Sequence, residues 1–215
     1  LDYYEENINP ENPNQYLFNG EWKDFQIYKE NIKCKDDSVI EYTVRRNHRG
    51  PVVSDAKGIT DRVLTIRWTG DEPSNEILSI YKINRAQNWN DFNDAFRNFK
   101  SISQNIVYAD LIGNIGLHAC AGVPIRKRTA VFEVLPGWTD EYDWQGMIPY
   151  NQLPFEYNPA RGYVSSANNR ATDSTYLYHI GTWYDLPYRI DRIREMIESK
   201  PVLSRKPKSR KTKTR

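Results

Sequence analysis

Apolar and polar side chains alternate through much of residues 16 to 68, the period expected of half-buried strands. QYLFNGEW places Asn19-Gly20 between aromatic flanks, a strong hairpin signal, because the favoured two-residue turn needs residues that tolerate positive φ. The alternation resumes in DFQIYKENIKCKDDSVIEYTVRRN on both sides of Asp36-Asp37, which predicts a second hairpin. HRGPVVSD, His48 to Asp55, bends at Gly50-Pro51, and VLTIRWTG, Val63 to Gly70, reads as a further strand. The period then lengthens. SNEILSIYKINRA, Ser74 to Ala86, predicts a helix capped by Ser74. NWNDFNDAFRNF sets Trp89, Phe92, Phe96 and Phe99 at helical spacing, most simply as a core-facing stripe. QNIVYADLIGNIGLHACAG, Gln104 to Gly122, predicts two strands around Gly113-Asn114. A long connection rich in Pro, Gly and Trp follows, of the kind that often lies over a functional face. GYVSSANNR, Gly162 to Arg170, opens like a strand and closes on two asparagines, which are poor strand formers and good turn or ligand-binding residues. In DLPYRIDRIREMIES, Asp185 to Ser199, Ile190, Ile193 and Ile197 line one face of a predicted helix. No internal repeat is visible.

The 215 residues suffice for one large domain or a large piece of one. A net charge of +2 gives no global attraction to nucleic acid. The acidic and basic residues are unevenly spread: SRKPKSRKTKTR, Ser204 to Arg215, holds seven basic residues and no acidic one, so the rest is net acidic. Such a run reads as a solvated, disordered tail. No apolar run approaches the roughly 18 residues of a membrane span. The chain begins on Leu1 rather than Met and carries no signal peptide, so it reads as a processed or excised piece. Cys34 and Cys120 have no metal or redox spacing and form either one disulfide or, as preferred here, two buried thiols.

The usual catalytic signatures are missing. There is no G-x-S-x-G elbow, no phosphate-binding loop and no H-E-x-x-H. His48, His118 and His179 are too scattered to suggest zinc, and Asp110 sits where aspartates cap turns. Neither a nucleophile nor a base stands out. An asparagine amide can nevertheless donate to a developing oxyanion, and Asn168 is a candidate for that role against the simpler reading of a turn residue.

Taken in order, DYYEEN with YLFNGEW, HRGPVVSD, NRAQNWNDFNDAF, QNIVYADLIGNIGLHACAGVPIR, LPGWTDEYDWQGMIPYNQLPFEYNP, GYVSSANNR and YRIDRI resemble the β-chain of the penicillin acylase (penicillin amidase) family. No single stretch is decisive; their order and spacing cover residues 1–200 and leave 201–215 as a non-family tail. The resemblance implies an α+β fold, part of the four-layer αββα sandwich of N-terminal nucleophile hydrolases, antiparallel and β-rich with flanking helices. It implies hydrolysis of linear amides (a penicillin side-chain amide, an acyl-homoserine lactone or a related N-acyl compound) through an acyl-enzyme. In the family the nucleophile is a serine at the start of the β-chain, and its own α-amino group is the base. An α-amino group titrates at about 7.7–8.0, so no histidine is needed. By this resemblance the serine and a backbone oxyanion donor lie upstream of Leu1, and more β-chain lies downstream. The chain is therefore expected to be truncated at both ends, inactive alone, and partnered by the α-chain and the remaining β-chain.

The resemblance also assigns residues. The first asparagine of the pair, Asn168, supplies a side-chain donor to the oxyanion hole, while Asn169 holds the turn. Arg189 orients that amide. Gln104, in the segment before YAD that lines the acyl pocket, is polar where an aryl-acyl pocket is apolar. A structural calcium would use the carbonyl of Leu1 and the carboxylate of Asp2, although the family's later aspartate ligand falls near Tyr178 or His179 here. No cofactor is needed for the chemistry. A periplasmic or secreted location is implied, with no nucleic-acid or membrane partner. The rival reading is a non-catalytic β-rich module that binds glycan or peptide through exposed Trp138 and Trp144. An open face beside Asn168 at a strand end separates the first reading from the second.

Overall fold

In the computed structural model, which describes residues 1–128 and 133–199, the first quarter of the chain is strands, as the alternation predicts. They are β1 (Asp2–Glu6), β2 (Ile8–Asn9), β3 (Asn12–Phe18), β4 (Glu21–Asp24), β5 (Gln26–Lys33) and β6 (Val39–Arg46). A short helix α1 (Ser54–Lys57), β7 (Val63–Arg67) and helices α2 (Glu76–Ile83) and α3 (Trp89–Ala95) follow. Next come β8 (Gln104–Ala109), β9 (Ile115–Cys120), β10 (Pro124–Arg126), β11 (Leu135–Pro136), β12 (Trp144–Met147), β13 (Phe155–Tyr157) and helix α4 (Tyr188–Glu198).

The β3–β4 hairpin closes at Phe18 and Glu21, with Asn19 and Gly20 both at positive φ (49° and 84°). The β5–β6 ribbon pairs from Gln26–Arg46 to Lys33–Val39, but every residue of β5 is exposed. Its alternation therefore meets no covering layer among the described residues. Cys34, at the end of that ribbon, is a free and only half-buried thiol. The expected burial fails there because a two-stranded tip has no core around it. At the predicted bend, Gly50 is irreplaceable: a Cβ would lie 2.1 Å from the Ile66 carbonyl oxygen, at a φ of 155°.

Two sheets set the architecture. β1 runs between β7, antiparallel, and β11, parallel. β9 runs between β8 and β13, both antiparallel. The aromatic stripe packs as core: Phe92, Phe96 and Phe99 are buried against Ile106 and Tyr108 of β8, and Trp89 stacks on Tyr157 at 4.8 Å. With Ile106 and Tyr108 committed to that layer, the strand's two-residue period turns Asn105 and Val107 to its other side.

Several boundaries differ from the sequence expectation. Helix α2 is capped by Asn75, whose Oδ1 accepts from the Leu78 N–H at 2.9 Å, while the Ser74 hydroxyl donates to Glu76. Asn75→Ala is expected to cost about 1 kcal/mol, read from the denaturation midpoint, and Ser74→Ala less. Helix α4 starts at Tyr188 rather than Asp185, because Pro187 disfavours a helical residue before it. GYVSSANNR forms no strand: residues 163–166 have no regular secondary structure. The basic tail, 201–215, lies outside the described residues.

One polar knot ties distant segments together. The Arg49 side chain, fully buried, donates to Asp143 Oδ1 (2.7 Å), the Gly137 carbonyl (2.6 Å) and the Thr139 carbonyl (2.7 Å). Its guanidinium also lies over the Tyr4 ring at 4.4 Å.

Candidate active site

Asn168 owes its position to its neighbours. Ala167 is buried and anchors the loop. Asn169 Oδ1 accepts from the Ala167 N–H (3.0 Å), and its Nδ2 donates to the Arg170 carbonyl (2.9 Å), so Asn169 holds the turn. Asn168 then sits exposed in the left-handed region at φ 61°, a conformation asparagine tolerates better than most residues. Ser166 fastens the same loop to β8, its hydroxyl accepting from Asn105 Nδ2 at 2.9 Å.

The first turn of α4 supplies the partner. Arg189 Nη1 donates to Asn168 Oδ1 at 3.1 Å and also to the Asp185 carboxylate. A guanidinium only donates, so it fixes which end of the amide faces it. Oδ1 faces Arg189, and Nδ2 is left to donate elsewhere.

This group borders a cleft of about 1070 Å³ between β8, the 164–171 loop and α4. Gln104, Val107, Asn168, Arg189 and Leu1 all line it. Three of the residues singled out from the sequence, together with Leu1, are thus brought to one cavity. Asn168 stands at its edge in a loop rather than at a strand end. On the predicted apolar face of α4, only Ile190 is fully packed; Ile193 and Ile197 line the cleft. Asp185 escaped the sequence reading. Its i, i+4 spacing before Arg189, acid ahead of base, is the signal that finds it.

Asp2 is not among the cleft-lining residues. Its Oδ2 accepts from Arg126 Nε (2.9 Å) and from the Trp144 indole N–H (2.5 Å). No group of three or more His, Cys, Asp or Glu that could hold a metal occurs among the described residues. Calcium takes about six to eight oxygens, of which the Leu1 carbonyl and the Asp2 carboxylate would supply only part. The same Asp2 bonds remove Trp144 from the exposed pair that the rival reading names. Trp144 is buried, with Arg67 lying 4.7 Å over its ring, because its ring packs in and its N–H finds a carboxylate, whereas Trp138 is exposed.

The histidines form no catalytic pair. His118 is buried and stacked on Tyr150 at 4.8 Å; His48 contacts the Tyr16 hydroxyl at 3.1 Å. Burial pushes each down to about 4, helped at His48 by the Arg49 charge. Their folded values lie below the ordinary value near 6.5. The stability they contribute is therefore complete above about pH 6.5 and is lost as pH falls toward 4. Glu6, raised by burial, works in the opposite sense, so the clean readout is a difference. The melting temperature of His118→Gln should fall less steeply than wild type between pH 6.5 and 4.

The family model described as Penicillin amidase matches residues 1–211. The chain belongs to the penicillin amidase family. Penicillin G acylase of Escherichia coli is 28% identical over 170 residues, 79% of this chain and 20% of that protein. The acyl-homoserine lactone acylase QuiP of Pseudomonas fluorescens (strain Pf-5) is 26% identical over 187 residues, 86% of this chain and 23% of that protein. A thermostable penicillin G acylase from Alcaligenes faecalis superposes with a TM-score of 0.79 at 27% identity, over 94% of this chain and 36% of that one. The α+β fold is therefore that of the N-terminal nucleophile hydrolases, and the family is one of amidohydrolases. The chain spans a quarter or less of the length of these curated relatives. Among its described residues no helix is long and apolar enough to cross a membrane.

Proposed function

We propose that this chain forms part of the active site of an amidohydrolase that cleaves linear N-acyl amides through an acyl-enzyme. The observation that carries the reading is the Asn168 amide. Its oxygen is held by Arg189, and its Nδ2 makes no hydrogen bond among the described residues beside a large cleft. That is what an oxyanion donor requires: a fixed dipole with an unspent N–H. The attacking hydroxyl is that of an N-terminal serine outside residues 1–215, with its α-amino group as base. As the carbonyl becomes tetrahedral, Asn168 Nδ2 donates to the oxygen and Arg189 keeps the amide from turning over.

Gln104, the first residue of β8 and one of the residues lining the cleft, is the proposed substrate contact, at the rim of a wall that includes Val107 and Leu117. Penicillins, acyl-homoserine lactones and related N-acyl compounds are the substrate classes proposed. A periplasmic or secreted location goes with this reading, and calcium has no part in the chemistry. The buried Trp144 removes the main support for a carbohydrate-binding module.

The test is amine release by the full-length protein from a panel of N-acyl amides with aryl, short and long acyl groups. Hydrolysis of at least one supports the reading; a folded, processed protein that releases amine from none sinks it. Within an active panel, Gln104→Leu is expected to shift kcat/KM toward the more apolar acyl group by about 10-fold, the scale of one pocket contact.

A further inference from the structure

The Asn168–Arg189 pair does not stand alone. The Asp185 N–H donates to the Asn168 carbonyl at 2.9 Å, and the Asp185 carboxylate accepts from Arg189 Nη1, the nitrogen that also donates to Asn168 Oδ1. Three residues thus close a ring in which Asp185 holds the backbone of Asn168 directly and its side chain through Arg189. The ring has something to hold. Asn168 is at φ 61°, a less populated conformation that its surroundings must hold. Arg189 is 61% exposed, so without a partner its long side chain is free to leave the amide. Asp185 is itself 49% exposed, and an ion pair so open to water adds little to stability. Its consequence is directional.

Resting on the amidase reading of the cleft, we infer that Asp185 is a positioning residue for hydrolysis: it locks Arg189 onto Asn168 Oδ1 so that Nδ2, and not the oxygen, faces the reacting carbonyl. An amide turned over would present its own oxygen to a developing oxyanion, which is repulsive.

The test uses the full-length protein with Asp185→Ala and Asp185→Asn. A displacement on the scale of 1 Å costs about 10²-fold, so Asp185→Ala is expected to lower kcat by about 10- to 10²-fold. KM and melting temperature should stay near wild type. Asp185→Asn, which still offers an acceptor oxygen to Arg189, should recover most of the rate. Crystal structures of wild type and Asp185→Ala give a readout that needs no turnover: Arg189 is expected to leave Asn168 and the amide to lose its single orientation. Asn168 and Arg189 unmoved in Asp185→Ala, an unchanged kcat, or a rate loss matched by a fall in melting temperature would overturn the inference. If wild type hydrolyses nothing, the amidase reading fails by itself, and the crystal comparison still decides whether Asp185 positions the pair.

Discussion

Removing the Asn168 amide is expected to lower kcat by about 10²–10³, a loss of about 2.7–4 kcal/mol of transition-state stabilisation. Alanine alone is a poor probe. Asn168 has φ 61°, where a Cβ is strained, so Asn168→Ala mixes a backbone cost with the chemical one. Asn168→Gly keeps the backbone and deletes only the amide. Both variants should lose rate to a similar extent, and only the alanine should also lose stability. Asn168→Asp should be as inactive as either. A carboxylate has no proton to give, it pairs with Arg189, and its charge opposes the oxyanion. KM should change little, since the bond is made as charge develops and not in the ground state. The measurement is kcat and KM of the full-length protein on an N-acyl amide that wild type hydrolyses. A wild-type kcat in Asn168→Gly removes Asn168 from the mechanism.

How much of this was legible in the sequence follows from the range of each interaction. The hairpins at Asn19-Gly20 and Asp36-Asp37, and the core stripe Phe92, Phe96 and Phe99, are local patterns, and they stand where the periodicity puts them. Ser74 reads as a cap where Asn75 is one, because Ser and Asn compete for that position on nearly equal terms. GYVSSANNR opens like a strand because Tyr163 and Val164 are strand-favouring residues. A strand also needs a neighbour to bond with, and the sequence of one segment does not show whether it has one. Asn168 and Arg189 were found only through a resemblance in order and spacing; by composition alone they are a turn residue and a helix-surface charge. The pairing of Asp2 with Arg126 and Trp144 joins residues far apart in the chain, where periodicity is silent, and in the ring through Asp185 only the i, i+4 pair with Arg189 leaves a local trace. Asp2 was assigned by position, but Arg126 and Trp144, more than a hundred residues away, already engage its carboxylate oxygen.

Arg49→Met is expected to be the most destabilising single change outside the cleft, at about 3–5 kcal/mol. HRGP reads as a turn, and nothing in it announces a buried charge. The side chain is nonetheless fully buried, and its three donors reach Asp143 and the carbonyls of Gly137 and Thr139 at 2.6–2.7 Å. Glu6, also fully buried, lies 3.8 Å away. Methionine would fill the volume but strand two carbonyl oxygens and leave Glu6 as an uncompensated buried carboxylate, and stranded buried groups cost more than the bonds themselves contribute. Set against a typical domain stability of about 5–15 kcal/mol, that is a large share. Arg49→Lys should recover only a minor part, because one ammonium cannot serve three acceptors arranged around a planar fork. Adding Glu6→Gln to Arg49→Met should restore part of the loss by removing the stranded charge, and that recovery separates electrostatics from packing. The consequence reaches the cleft through β1: Tyr4, under the Arg49 guanidinium, and Glu6 lie on the strand just after Leu1, which lines the cleft. In dilute denaturant the Arg49→Met protein should therefore lose amidase activity at the concentration where its structure melts, with the midpoint well below wild type. A midpoint within about 1 kcal/mol of wild type would mean that the knot is not what holds β1 to the 137–143 segment.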